Sequence, residues 1–464
     1  MASTAFRSKW IAGLTVGLGM WACFGPGASD GSGGVPAGEP AAGEPTAREP
    51  GSGEHPAGTG GTGYGTGGTS GGCGAGGESG SGDSGLSGAG GGVVLPPPLA
   101  ACPDTPDAPD AVLVRVPAVL PEGAFGSQVN AVSADGNTVV GTYAVPLFPE
   151  QPSLGIRLFA FRWSVGAGLE TLDAPGAEYS YAYAVSADGS VVVGSLHRPD
   201  TIGERAVVWT SAGLRELEPL PDATAGMAAA VSADGSVIVG VQQFIEYVPQ
   251  QRWAPVRWTA SGIEVLDHPL PNGASVANAS ADGRVVVGGP LGGSTALRWD
   301  GSGPAQVLSV PDASSADAGG VSGDGSVVVG WASLPGRTAP VRWDGERAEL
   351  LEFAAGEFSA TAQAMGADAD GSVIVGVFEG QAAIWERAHG MRRLATVLAG
   401  LGVDVSPWHF DAVRSISADG RVIAGSGICG DAGRGFIVRL PAEPGADADA
   451  GATMPDAGAT DGGS

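Results

Sequence analysis

Seven aspartates in this chain each precede a glycine in closely similar surroundings, of which "AVSADGSVVVG" (Ala184–Gly194) is typical. They are Asp135, Asp188, Asp234, Asp282, Asp324, Asp370 and Asp419. A carboxylate repeated at loop tips could bind a hard cation, but one aspartate per turn supplies too few oxygens for a calcium site. The neighbouring residues favour a turn instead. Ser, Ala, Asp and Gly in "VSADGSV" fit positions i to i+3 of a type I turn, with Gly in the left-handed conformation of a bulged hairpin. The sixth copy has Asp368 where the others have Ser133, Ser186, Ser232, Ser280, Ser322 and Ser417. Either side chain can accept a turn N–H, so a turn tolerates this exchange and a nucleophile would not. The seven aspartates are read as structural.

Other strings that could carry chemistry are weaker. "GTGGTG" (Gly58–Gly63) fits a dinucleotide fingerprint, "GTSGG" (Gly68–Gly72) a nucleophile elbow and "GDSG" (Gly82–Gly85) a serine-protease motif. All three fall in a Gly/Ser-rich stretch with no strand or helix to present them. His55, His197, His268, His389 and His409 are scattered without metal-ligand spacing, and no CxxC occurs. No catalytic residue, metal ligand or cofactor site is expected.

The aspartates recur at intervals of about 42–53 residues, the period of propeller blades. A second landmark follows each of the first six, ending in Trp163, Trp209, Trp258, Trp299, Trp343 and Trp385; the seventh copy reads "GFIVRL". A short segment such as "GLETL" or "GIEVL" comes next. Each unit thus reads as four short strands punctuated by Gly and Pro. The expected fold is all-β: a seven-bladed β-propeller of four-stranded blades, which also removes exposed sheet edges. The seventh unit lacks a fourth strand, and "AVLVRVPAVLP" (Ala111–Pro121) is an orphan ahead of the first. That N-terminal strand, at about residues 111–120, should complete the last blade and close the ring. Arg162, Arg257, Arg298 and Arg342 alternate with the apolar residues before each Trp, and are expected to pack blade to blade against acidic partners.

The pairing of "AVSADGSVVVG" with "AFRW" resembles the HAF-type bacterial extracellular repeat family, whose repeats join an S-x-D-G-x-V-x-V-G hairpin to an A-F-x-W strand. The resemblance spans about residues 111–440, and rests on sevenfold recurrence. It implies a propeller-like fold and an exported address, and lends no catalytic residues. The sequence departs from the family where Val, Leu or Ala replaces the aromatic, and where the last Trp is missing. Sialidase propellers carry a related Asp box, S-x-D-x-G-x-x-W, which puts a glycan hydrolase or lyase on the list as the alternative function.

Composition divides the chain into 1–23, a signal peptide with a lipobox-like end; 24–102, a Gly/Ser/Pro-rich disordered tether; 103–443, the propeller; and 444–464, an acidic disordered tail. Arg7 and Lys9 precede an apolar stretch that ends at Cys23. Lipidation of Cys23 would anchor the chain to a bacterial cell surface or outer membrane, the only membrane contact expected. Met20 and Trp21 depart from the lipobox pattern, and ordinary cleavage with full secretion is the other outcome. A net charge of −26 argues against nucleic acid. In an exported protein Cys102 can pair with Cys429, stapling the two ends of the ring, or with Cys73; spacing leaves both open.

Variable connections between strands two and three, and between blades, should emerge on one face. Tyr143, Phe148, Tyr179, Tyr181, Phe244, Tyr247 and Trp253 cluster there in blades one to three, and are the candidate ligand-binding residues. The expected protein is a monomeric, non-enzymatic binding or scaffold module for an unidentified protein or glycan.

Overall fold

The computed structural model describes residue 102 and residues 112–441, apart from 118, 150–154, 248–249, 272, 291–293 and 431. Cys23, Cys73, the tether before Cys102 and the acidic tail lie outside the described residues. The chain forms seven four-stranded antiparallel sheets. Blades 1 to 6 occupy residues 126–171, 179–216, 225–265, 275–308, 315–350 and 362–393, each with its strands in chain order. Blade 7 takes three strands from residues 408–439 and its fourth from Leu113–Val116, which pairs antiparallel with Ala432–Arg439. The protein is a seven-bladed β-propeller closed by its N-terminal strand. Cys102 and Cys429, 327 residues apart in sequence, are disulfide-bonded with Cα atoms 5.2 Å apart.

The core is a series of layers between neighbouring blades. In blade 4, Val286, Leu297 and Trp299 pack with Ala230 and Val239 of blade 3. Val285, Val287 and Ala296 of the same blade pack with Val328, Val341 and Trp343 of blade 5. Both faces of a middle strand are therefore buried, which is why it reads "VVV" rather than alternating with polar residues. Indole N–H groups tie blades together. Trp209, Trp258, Trp299 and Trp343 donate to the carbonyls of Asp173, Glu218, Asp267 and Ser309 in the preceding unit, at 2.6–3.1 Å.

All seven Asp-Gly turns share one hydrogen-bond pattern. The aspartate accepts the N–H two residues on at 2.9–3.0 Å. In six copies the serine Oγ donates to that carboxylate at 2.5–2.7 Å. The same Oγ accepts the N–H five residues on at 2.8–3.0 Å. In the sixth copy Asp368 takes the serine's place and accepts Ser372 Oγ at 2.8 Å. The carboxylates are spent on the turn.

The turn glycines, with φ between +68° and +76°, also lie hard against the preceding blade. A Cβ on any of them would fall 2.4–3.0 Å from a β-branched side chain there, as Gly189 would with Thr138 and Gly235 with Val191. Just before the aspartates, backbone bonds run from blade to blade around the axis. Ala187 donates to Ala233, Ala233 to Ala281, Ala281 to Gly323, Gly323 to Asp368, Ala369 to Ala418, and Ala418 to Ala134, at 2.7–3.1 Å.

One helix, Leu394–Gly400, was not foreseen from the repeat pattern. It links blades 6 and 7 and buries Leu394 and Leu398 in the core beneath Trp408. Apolar residues at 394, 397, 398 and 401 followed by Gly402 carried that signal, masked by its short length.

Two substitutions separate the roles of the glycines. Gly189→Ala should cost about 3 kcal/mol or more, combining positive φ with overpacking against Thr138. Gly166→Ala, with φ +80° but nothing within 4 Å, should cost only about 1–2 kcal/mol. Urea titration measures both, and equal losses would show that the blade-to-blade contact contributes nothing.

Candidate functional site

A cavity of 370 Å³ lies where the seven first strands meet. Each of those strands carries a bulge, with register shifts at Val129/Ala131, Ala182/Ala184, Ala228/Ala230, Val276/Asn278, Ala318/Gly320, Ala364/Gly366 and Val413/Ser415. A bulge re-aims the residue left out of the ladder. Those residues are Asn130, Tyr183, Ala229, Ala277, Gly319, Met365 and Arg414, and all seven line the cavity. Across the sheet from each bulge stands a glycine of the "VVVG" motif. A Cβ on Gly194 would fall 1.9 Å from the Tyr181 carbonyl oxygen, so no larger residue fits.

The ring is uneven. Blades 6, 7, 1 and 2 contribute Met365, Arg414, Asn130 and Tyr183, while blades 3, 4 and 5 contribute only Ala229, Ala277 and Gly319. The small side leaves room, and the walls there include Met227 and the Trp331 indole. Asn130 is held by its Nδ2, which donates to the Ala182 carbonyl at 2.8 Å. Ser195 Oγ lies 3.2 Å from the Tyr183 hydroxyl and 2.5 Å from the Glu204 carboxylate. Burial raises the pKa of both Tyr183 and Glu204, so the phenol keeps its proton. Sequence reading missed this ring. Aligning the copies on the turn would have shown one position in the first strand that ranges from Gly to Arg.

The aromatics expected to bind ligand divide into groups. Tyr143 is 6% exposed, stacks on Phe159 at 5.5 Å and bonds Thr171 Oγ at 3.0 Å. Phe244 is 7% exposed, with the Arg252 guanidinium 4.2 Å above its ring. Neither presents its ring to solvent, which corrects the reading of both as exposed loop residues. The reason is strand length: Thr138–Pro146 and Ile238–Tyr247 continue well past the "VVVG" and "VIVG" motifs, and the rings pack on sheet faces. Phe148 is 49% exposed. Tyr179 and Tyr181 are half-buried and form a ladder with Tyr183, with centroids 5.7 and 5.8 Å apart, and His197 stacks on Tyr179 at 4.8 Å. Trp253 is half-buried, with its backbone bridged to Gly273. The Tyr247 side chain lies outside the described residues.

Three of the four arginines beside the tryptophans reach the neighbouring blade. Arg162 pairs with Glu170 at 2.6 Å and reaches the Gly189 carbonyl at 3.4 Å. Arg298 donates to the Gly325 carbonyl at 2.8 Å, and Arg257 to those of Gly301 and Arg284 at 2.9 and 3.1 Å. Arg342 helps hold the Glu349 carboxyl below its ordinary pKa, after the larger effect of its hydrogen bond with Arg387. Among the described residues no three His, Cys, Asp or Glu side chains are grouped to hold a metal ion.

No protein-family model and no curated protein matches the chain. Solved structures do. An oligogalacturonate lyase from Vibrio parahaemolyticus is 12% identical with a TM-score of 0.46, covering 72% of this chain and 95% of that one. The propeller domain of the trilobed protease from Pyrococcus furiosus is 9% identical with a TM-score of 0.47, covering 70% and 97%. A catalytically inactive virginiamycin B lyase from Staphylococcus aureus is 14% identical with a TM-score of 0.42, covering 71% and 99%. These likenesses concern the fold alone.

Asp317, two residues before the Gly319 bulge, is 2% exposed, and neither carboxylate oxygen has a hydrogen-bond partner among the described residues. Burial raises its pKa to about 7, with the Ala318 amide acting in the opposite direction. The folded state thus holds a proton that the unfolded chain releases near pH 4. Stability should fall as pH rises from about 4 to 7 and level off above. Asp317→Asn should flatten that slope and stabilise the protein at pH 8 but not at pH 4. Thermal unfolding across pH checks this; a slope unchanged in the variant would refute it.

Proposed function

We propose that the protein is an exported, non-enzymatic binding module, held at the cell surface through a lipidated Cys23, whose ligand enters the axial cavity. The observation that carries this reading is the bulge ring. Seven equivalent positions on one rigid scaffold differ from Gly to Arg, whereas the turns and glycines around them are uniform. A cavity of this volume with apolar walls and few polar groups suits a small ligand. The disulfide between Cys102 and Cys429 supports export, because such bonds persist in oxidising compartments. Exposed Phe148, Ile202 and Phe358 lie in connections at the variable end, where a larger protein or glycan partner could also dock.

The competing reading is a propeller hydrolase or lyase acting on glycans. Glycoside hydrolysis calls for two carboxyl groups about 5–9.5 Å apart. Among the described residues lining the cavity, Asp368 is the one acid and Arg414 the one base, which favours binding.

Native mass spectrometry of the full chain with a mixture of organic acids and oligosaccharides tests the cavity. An adduct should form that Ala277→Phe, which fills the small side of the ring, loses while melting normally. Equal adduct formation by that variant would refute the reading. Separately, intact-mass analysis of the membrane fraction should find the mature chain beginning at an acylated Cys23, and an unmodified cysteine there would remove the anchor.

A further inference from the structure

The bulge ring places one cation on the axis of a protein with net charge −26, and the fold does not account for it. Arg414 occupies the bulge in the first strand of blade 7. Unlike Arg162, Arg257 and Arg298, its guanidinium has no hydrogen bond or ion pair with the described residues. Burial alone lowers its pKa, with no carboxylate near enough to oppose it. Arg414 is part-buried and lines the cavity with no partner among the described residues, so an anion entering the cavity would meet an uncommitted guanidinium.

The surroundings narrow that anion. Arg414 is the only basic residue among the described cavity-lining residues, and Asp368 stands among the same residues. One guanidinium matches the two oxygens of a carboxylate, whereas a dianion would bring a second charge with nothing to meet it. The rest of the wall is apolar or small, with Met227, Met365 and Trp331 beside Ala229, Ala277 and Gly319. We propose that the axial cavity takes a small monocarboxylate with an apolar body, its carboxylate forked on Arg414 and its body against Trp331 and the methionines. This rests on the cavity being the binding site, and specifies its ligand.

Calorimetry on the full chain with phenylacetate, phenylacetamide, phenyl phosphate and galacturonate tests it. Phenylacetate should bind, and the uncharged amide should bind about tenfold or more weakly. Arg414→Met should melt near the wild-type temperature, because it breaks no hydrogen bond or ion pair with the described residues, and should bind acid and amide alike. Arg414→Lys should keep part of the preference for the acid. Tighter binding of phenyl phosphate would overturn the monocarboxylate, and tighter binding of galacturonate the apolar body. Undiminished phenylacetate binding by Arg414→Met, or a strongly lowered melting temperature, would overturn the role of Arg414. If none of the probes binds while an adduct sensitive to Ala277→Phe persists, the carboxylate inference fails and the cavity reading stands. If Ala277→Phe also leaves adducts unchanged, both fail.

Discussion

The contact between each turn glycine and the β-branched residue of the preceding blade sets the distances on which the propeller depends. A Cβ at the turn would lie 2.4–3.0 Å from Val or Thr side chains that cannot swing away, so the blades approach as closely as backbone permits. Seven such contacts give the ring one pitch. The alanine and glycine residues beside them are then near enough to bond backbone to backbone around the axis. Each such bond satisfies a backbone N–H at one turn with a carbonyl at the next blade's turn. The aspartate belongs to this arrangement as the brace of the turn. Its carboxylate accepts the N–H two residues on and the flanking serine hydroxyls, and in Asp188 and Asp234 these bonds together bring the pKa to about 2.

Once the inner ends of the blades are locked in this way, the bulge just behind them can vary. A residue outside the ladder is aimed at the axis, so its identity can differ from blade to blade. The fold thereby separates a uniform supporting layer from a ring of seven varied positions. Three of those positions hold Ala or Gly, and one holds an arginine with no partner among the described residues. Buried groups without partners reduce stability, and Asp317 stands in an inner strand with Arg414 at the equivalent strand of blade 7 facing the cavity. The cost of Asp317 falls on the part of the protein best braced to bear it.

Closure is reinforced in blade 7, the one blade built from both ends of the propeller. Four register pairs join Leu113–Val116 to the strand before Arg439, and the disulfide joins Cys102 to Cys429 within the same blade. Blade 7 also lacks the tryptophan of the other units. By register Val438 stands at that position, and two residues earlier Phe436 packs edge-on against Trp408 and Phe410 at 5.8 and 4.9 Å.

The number of blades, their four strands, the Asp-Gly turns and the shared seventh blade were all legible in the sequence. Each rests on a local pattern repeated seven times, and local patterns survive in one dimension. The helix at Leu394–Gly400 escaped because a single connection breaks no repeat. The aromatics were misplaced for a related reason. Sequence composition marked Tyr143 and Phe244 as loop residues, whereas hydrogen bonding to neighbouring strands carried the sheets outward and buried them. Arg414 was invisible as a site residue, since nothing local distinguishes a cation that will lack a partner from one that will find one. By itself the sequence determined the repeat, and with it the propeller, because turn chemistry and apolar runs act over a few residues. Which side chains meet on the axis was decided only by closing the ring, because a bulge aims its residue relative to six other blades and not to its own neighbours in the chain.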